Sequence, residues 1–399
     1  MKTYHYFLLL IAIGFLVFTK TLFNGFVLDD THLIVNSPTI HSLNSLPTLF
    51  TQSFRYHNQP PGIFNFYYKP FMFVSFTFLY AIGNGNPFPF HLFQLIIYII
   101  NSLLLFTFFC KFWNKKLSFF LSLLFLLQPA NIEVVSYSAS LQDTLFLFFG
   151  LSSLLIASNK KLNTLLSAGI VSILLLFSLL SKESGILFIF IVPLFMFFFV
   201  KAKWKTYLFS SIISLSIYLL LRINTLTQPF TVLLDHHVQH FSLTERILAS
   251  LAIFGFSIQE LLLPQFKFQE FLKTGIIPPM DLLAFTLETI VFICILVFCG
   301  MWVKKTNKKQ LSYFIFFSIW LILGILFHSQ LFFSLDVFIA LRWLYFPLVG
   351  MLGILGVLFT TVSSKYLSHS RLTRSIPFIL ITLYALETLF TVFFIPLKP

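Results

Sequence analysis

The sequence predicts an all-α, polytopic membrane protein: a bundle of about eleven transmembrane helices (range 11–13), with further helices lying along the outer membrane surface. Three observations carry this reading. The chain of 399 residues is 58% hydrophobic with a mean hydropathy of +0.92, and 10% of its residues are charged, against about 25% in an ordinary soluble domain. No soluble core has room for that much apolar surface, so lipid must solvate most of it. The apolar residues also fall into runs of spanning length, and the basic residues gather in the short loops between them.

The runs lie at about 6–22, 88–110, 139–157, 164–181, 206–222, 281–303, 310–329, 336–361 and 375–395. Two shorter runs, near 117–129 and 185–200, reach spanning length with their flanks. The first run follows Lys2 and is long, with no small-residue cleavage site after it, so it reads as a retained helix and not a signal peptide. Five loops hold Lys111, Lys115 and Lys116; Lys160 and Lys161; Lys201, Lys203 and Lys205; Lys304, Lys305, Lys308 and Lys309; and Lys365, Arg371 and Arg374. None of the 13 acidic residues lies in them. The positive-inside rule places these loops and the N-terminus in the cytoplasm, and eleven crossings then leave the C-terminus outside. In a prokaryote the membrane would be the plasma or inner membrane.

Two apolar stretches, 70–82 and 246–264, read as juxtamembrane helices on the outer face. Counting either alone as a span breaks the parity; counting both gives a thirteen-crossing alternative. The long outer segments are then 23–87 and 223–280, within a single transmembrane domain over 1–399 and with no soluble domain.

The net charge of +13 would suit nucleic acid in a soluble protein; here topology accounts for it, and no nucleic-acid partner is expected. The 57 phenylalanines suit lipid-facing helices. Cys110, Cys294 and Cys299 sit in or beside apolar segments, and Cys294 and Cys299 are spaced wrongly for a disulfide on one helix.

The residues that bear chemistry lie mainly on one side of the membrane. Asp29 and Asp30 follow the first helix directly, and two adjacent carboxylates there must be solvated, paired or used. Used, they offer a general base for an acceptor hydroxyl, or metal ligands. Glu133 falls in the next outer connection and Asp143 about one turn into the following span. Lys182 and Glu183 occupy a tight outer turn, Lys69 precedes Pro70, and Arg342 sits some six residues into the tenth span. An arginine there needs an anionic partner or a polar cavity, and its guanidinium matches phosphate oxygens. A carboxylate base with Lys69, Lys182 and Arg342 makes sense for a substrate with a phosphate leaving group, such as a lipid-linked sugar phosphate. His236, His237 and His240 form a small cluster that reads as a solvated loop or a metal site. Gly83-Asn84-Gly85-Asn86 reads as a turn, and no P-loop, HExxH or CxxC pattern occurs.

Together these residues resemble the GT-C superfamily of membrane glycosyltransferases, most closely its transmembrane O-mannosyltransferase branch. Gly25-Phe26-Val27-Leu28-Asp29-Asp30 with Asn36-Ser37-Pro38 is similar to that family's first-loop motif. Tyr68-Lys69-Pro70 resembles its Tyr-Arg-Pro. Asn86-Pro87-Phe88 with His91-Leu92 and Asn101 resembles the start of its second span. Gln128-Pro129 with Glu133, Gln142-Asp143, Ser181-Lys182-Glu183, Leu261-Leu262-Leu263-Pro264 and Arg342-Trp343-Leu344-Tyr345-Phe346-Pro347 follow in order. The family's tetratricopeptide repeats have no counterpart here. Gln128 stands where the family has His, Lys69 where it has Arg, and Leu341-Arg342-Trp343 where it has Glu-Arg-Tyr.

The resemblance implies a GT-C-like bundle and transfer of a sugar, a mannose-like hexose favoured, from a polyprenyl- or dolichyl-phosphate donor. The acceptor would be an extracytoplasmic protein or glycolipid, and the transfer inverting. Asp29 or Asp30 would be the base, and Arg342, Lys69 and Lys182 would hold the donor phosphate. Glu133, Asp143, His91, Glu183 and Tyr345 would shape the sugar and acceptor site. A divalent cation, Mg or Mn, on Asp29 and Asp30 stays open. A transporter or lipid flippase and an inactive homologue are the alternative readings; a transporter predicts mid-bilayer charges and an internal repeat, which the sequence does not display.

Overall fold

The computed structural model describes residues 2–52, 68–201, 203–225, 242–263, 279–332, 335, 339–366 and 371–394, with side chains at all of these except 279–281, 364–366, 371–379 and 394. His236, His237 and His240 lie outside the described residues, as do parts of both long outer segments. Among the described residues there is no strand.

Thirteen helices of ten residues or more occur among the described residues: α1 (Thr3–Phe18), α2 (Pro70–Gly83), α3 (Pro87–Phe109), α4 (Lys115–Leu126), α5 (Leu141–Ala157), α6 (Thr164–Ser181), α7 (Ile186–Phe199), α8 (Trp204–Thr225), α9 (Leu243–Leu262), α10 (Pro279–Thr306), α11 (Lys308–Phe327), α12 (Tyr345–Tyr366) and α13 (Arg371–Phe394). Eight stretches are long and apolar enough to cross a membrane, or nine if Lys115–Leu126 and Pro129–Ser136 form one bent span. Glu183–Phe199 and Leu380–Phe393 are shorter apolar helices. Each of the eleven predicted runs therefore contains most of one of these helices, and the stretches 70–82 and 246–264 contain most of α2 and α9. This is an all-α, multi-pass membrane protein. Only 11% of the apolar window in Leu282–Thr306 is buried; a helix so apolar and so uncovered has lipid for its solvent.

The loop sequences set the helix limits. Asn86, Asn114, Asn163 and Asn307 each cap the helix that follows, the side-chain oxygen accepting from a backbone N–H in the first turn, which satisfies donors that have no partner within the helix. α2 stops where Asn84 takes a left-handed backbone (φ 49°) and Gly85 follows at φ 79°. The predicted Gly-Asn-Gly-Asn turn is thus the connection from α2 to α3.

The helices group into two compact units. The first comprises Met1–Lys111, Ile132–Leu234 and Thr388–Pro399. Within it α5 packs on α6, α6 on α8, and α3 on α5. Serines line the α6–α8 seam: Ser210 Oγ donates to the Ala168 carbonyl at 3.1 Å and Ser214 Oγ to the Ser172 carbonyl at 2.8 Å. Small hydroxylated residues let two membrane helices approach while satisfying polar atoms. Two buried amides tie α3 to its neighbours: Gln94 donates to the Val134 carbonyl, and Asn101 to the Thr144 carbonyl at 2.9 Å.

The second unit comprises Phe112–Asn131 and Asp235–Glu387. Its polar anchor is Gln128, whose Nε2 donates to the carbonyls of Glu260 and Leu261 at 3.2 and 3.3 Å. Tyr384 donates from its hydroxyl to Leu261 and Leu262 at 3.2 and 3.1 Å. The last carbonyls of α9, which no helical N–H can reach, are satisfied this way. Replacing the buried Gln128 by Leu is expected to lower stability by about 1–3 kcal/mol, because buried acceptors lose their donor. The thermal midpoint in detergent reads this directly, and an unchanged midpoint would refute the capping role.

Candidate active site

The first loop is folded against the first unit. Ile34, Ile40 and Leu49 join Met72, Phe73 and Phe76 of α2, Phe90 of α3, and Ala139, Leu141 and Leu145 in one buried cluster. This apolar anchoring fixes the chain on either side of the aspartate pair. The turn itself closes through the Asp30 N–H donating to the Val27 carbonyl at 3.0 Å. Leu28 adopts a left-handed backbone at φ 48°, a conformation that costs a leucine about 1–2 kcal/mol.

The two aspartates differ sharply. Asp30 is fully buried. Its Oδ1 accepts from the Ala139 N–H at 2.6 Å and its Oδ2 from the Val27 N–H at 3.3 Å. The side chain therefore staples the first loop to the Ser138–Ser140 turn that leads into α5. Asp29 is partly exposed. His91 is buried on α3 and lies against the backbone of Asn24 and Gly25, just ahead of the pair.

Burial raises the Asp30 carboxyl from 3.8 to about 6, outweighing the backbone N–H groups of Ala139, Val27 and Ser138 that lower it; the neighbouring Asp29 charge adds to the rise. Between these values the folded chain holds a proton that the unfolded chain has released, so folding is favoured below pH 3.8 and loses that contribution as pH rises through 6. Two pH units correspond to about 3 kcal/mol. The stability of the wild type relative to Asp30→Asn is expected to fall by up to that amount between pH 4 and 7. Unfolding midpoints of both proteins across that range test it, and a flat difference would contradict it.

A second polar cluster lies among α2, α5, the α6–α7 turn and α8. Lys69 precedes Pro70, which begins α2 and disfavours helical backbone at the residue before it. Lys182 is extended (φ −158°, ψ 146°) immediately after α6, and Glu183–Gly185 forms a 3-10 turn into α7. Gly185 permits that tight turn, since a Cβ there would stand 2.5 Å from the Ser178 carbonyl carbon. Asp143 lies in the first turn of α5.

The pairings are specific. Lys182 Nζ donates to Asp143 Oδ1 at 2.5 Å, both side chains buried. Glu183 stands between two cations, 3.7 Å from Lys69 and 3.2 Å from Arg222. Arg222 Nη1 also donates to the Tyr218 hydroxyl oxygen at 2.6 Å. Burial pushes the Glu183 carboxyl up, but Lys69 and Arg222 together outweigh that and hold it below the ordinary glutamate value.

The structure thus brings Lys69, Asp143, Lys182 and Glu183 together, and sets Asp30 at the Ala139 N–H, about one helical turn before Asp143. Glu133 is partly exposed on the short helix Ile132–Ser136. Arg342 and Tyr345 belong to the second unit: Arg342 is partly exposed on the 3-10 turn Leu341–Leu344, and Tyr345 is buried against the Phe125 ring. Arg222 and Tyr218 are not among the residues predicted from sequence. The signal for Arg222 was available, as it closes the run 206–222 at the end that topology assigns to the outer face. No group of three His, Cys, Asp or Glu side chains clusters among the described residues. Asp29 and Asp30 by themselves give fewer oxygen ligands than a divalent cation takes.

The fold and the charged cluster define a multi-pass membrane protein with an acidic and basic polar site in its first unit. The chain is similar to protein O-mannosyl-transferase TMTC3 of Homo sapiens, with 27% identity over 154 residues, covering 38% of this chain and 17% of that protein. It is similar to protein O-mannosyl-transferase F38B6.6 of Caenorhabditis elegans, with 24% identity over 187 residues, covering 45% of this chain and 26% of that one. The Mus musculus TMTC3 matches at 24% over 153 residues. The resemblance drawn from the motifs is therefore met by curated relatives that carry the O-mannosyl-transferase name, matched over about a sixth to a quarter of their own length. No family model matches the chain.

Proposed function

We propose that the chain is an integral membrane glycosyltransferase. It moves a hexose, mannose favoured, from a polyprenyl- or dolichyl-phosphate donor to a hydroxyl group of an extracytoplasmic protein or glycolipid, with inversion at the anomeric carbon. The N-terminus lies in the cytoplasm, and the polar site and C-terminus lie outside. Asp29 takes the proton as the acceptor oxygen attacks the anomeric carbon. The bond from that carbon to the donor's phosphate oxygen breaks, and the lipid phosphate leaves with the electron pair. Lys69 and Lys182 stabilise the departing phosphate, and Asp143, Glu133 and His91 shape the sugar and acceptor site.

The observation that carries this reading is the division of labour in the aspartate pair. Asp30 is buried and stapled to two backbone N–H groups, and Asp29 beside it remains partly exposed on an anchored loop. That is the arrangement a positioned base requires. The names of the similar proteins support the reaction class. The test is sugar transfer by the purified chain in liposomes loaded with polyprenyl-phosphate sugars and an acceptor. Full activity in the Asp29→Asn, Asp30→Asn double variant would remove the base from the pair, and substrate exchange in both directions without product would favour a transporter.

A further inference from the structure

Glu183 differs from the other carboxylate of its cluster. Asp143 is 1% exposed and holds Lys182 at 2.5 Å. The Glu183 side chain is 35% exposed and holds Lys69 loosely at 3.7 Å. It can therefore leave its cations without opening the fold. Arg222 spends only one nitrogen, Nη1, on Glu183 and Tyr218, and its Nη2 and Nε donate to nothing among the described residues. Tyr218 accepts from Arg222, which leaves its own O–H proton to donate. Two cations and a phenol thus converge around one displaceable carboxylate.

We propose that Lys69, Arg222 and the Tyr218 hydroxyl form a binding site for a phosphate ester, and that Glu183 occupies it as an internal stand-in until the phosphate arrives. Arginine's planar fork suits two phosphate oxygens at once, and lysine adds a mobile point charge. A phosphate monoester, the form in which the lipid phosphate leaves, carries three free oxygens for these donors where Glu183 offers two. On arrival the phosphate takes over the donors and Glu183 swings out to water, so the empty site keeps an acidic counter-charge beside its two cations. This deepens the glycosyl-transfer reading and rests on it only for the source of the ester.

The test is binding, with no sugar present. The full chain in detergent micelles is titrated with farnesyl phosphate, farnesol and inorganic phosphate, and the thermal midpoint is followed. Farnesyl phosphate is expected to raise the midpoint and farnesol to leave it unchanged. A larger rise with farnesyl phosphate than with equal inorganic phosphate identifies a lipid-linked ester; an equal rise identifies free phosphate; no rise with either overturns the site. Arg222→Leu and Lys69→Met are expected to weaken binding tenfold or more, with Arg222→Lys recovering part of the loss. Glu183→Gln is the deciding variant. A stand-in's removal tightens phosphate binding several-fold, whereas a purely structural glutamate leaves it equal or weaker, which would overturn the proposal. Should Glu183→Gln not fold, Glu183→Asp replaces it, since a shorter carboxylate with a poorer grip must also tighten binding. Phosphate binding of this pattern without sugar transfer would sink the glycosyltransferase reading alone; sugar transfer with the wrong sign at Glu183 would sink this site alone.

Discussion

Asparagine at Asp29 is expected to lower the sugar-transfer rate by about 10²–10⁴-fold, the range a positioned general base contributes, with little change in donor affinity or thermal midpoint. Asparagine at Asp30 is expected to act differently. The amide keeps one acceptor oxygen where the carboxylate has two, so one of the N–H groups of Val27 and Ala139 is left without a partner. The loss then appears first in stability and in the placement of the first loop. The two expectations rest on geometry before acidity. A base must come within about 2.6–3.2 Å of the proton it removes, and Asp30, fully buried with both oxygens engaged, offers no face to an acceptor. Its raised value of about 6 would suit a base by acidity alone, which is why the comparison is informative. Rates and midpoints of both single variants decide it. If Asp30→Asn lost transfer with its midpoint intact while Asp29→Asn kept it, the base would be Asp30 and the loop would have to open to expose it.

Sequence alone could not separate these two residues. They are adjacent, equally charged, and equally placed after the first apolar run. What distinguishes them is a hydrogen bond from Ala139, a residue 109 positions away. The helices themselves were legible because lipid leaves the backbone no other partner, so a crossing must be a long apolar helix; each of the eleven runs contains most of a helix, and eight or nine of the helical stretches among the described residues reach spanning length. Pairings across helices were not legible. Topology puts Lys182 and Asp143 at the same end of neighbouring spans, but not in contact, since contact depends on how α5 and α6 rotate against each other. Gln128 reads from sequence as a departure from a histidine element. In the fold it reaches Glu260, 132 positions on, and supplies the donor that the end of α9 lacks. Arg222 was absorbed into the end of an apolar run, where a terminal basic residue is ordinarily a solvated flank. Its place beside Glu183 comes from the packing of α8 on α6, which no local pattern encodes.

The largest effect on stability is expected at the Lys182–Asp143 pair. Both side chains are buried, and in that setting removing one partner strands the other charge, at a cost of about 3–5 kcal/mol. Lys182→Met should therefore destabilise the first unit strongly. The second Asp143 oxygen has no partner among the described residues, so Asp143 has no other side chain to turn to. The reverse variant, Asp143→Leu, takes the carboxylate from the lysine instead, and a flexible lysine reaches toward water more readily than a short aspartate can. A smaller loss is expected there. The double variant Lys182→Met, Asp143→Leu replaces the pair by apolar groups of similar size and should regain much of the stability, as buried ion pairs are often no better than well-packed apolar replacements. Midpoints of the four proteins form a double-mutant cycle, and a coupling near zero would mean that the pair contributes nothing to the fold. The same cycle bears on chemistry. A lysine whose charge is already matched at 2.5 Å is an expensive donor to redirect toward a phosphate. If Lys182→Met kept its midpoint but lost farnesyl phosphate binding, Lys182 would be a ligand of the donor; if stability fell and the double variant restored both stability and binding, its task is to hold α6 to α5 so that Lys69 and Arg222 can meet the phosphate.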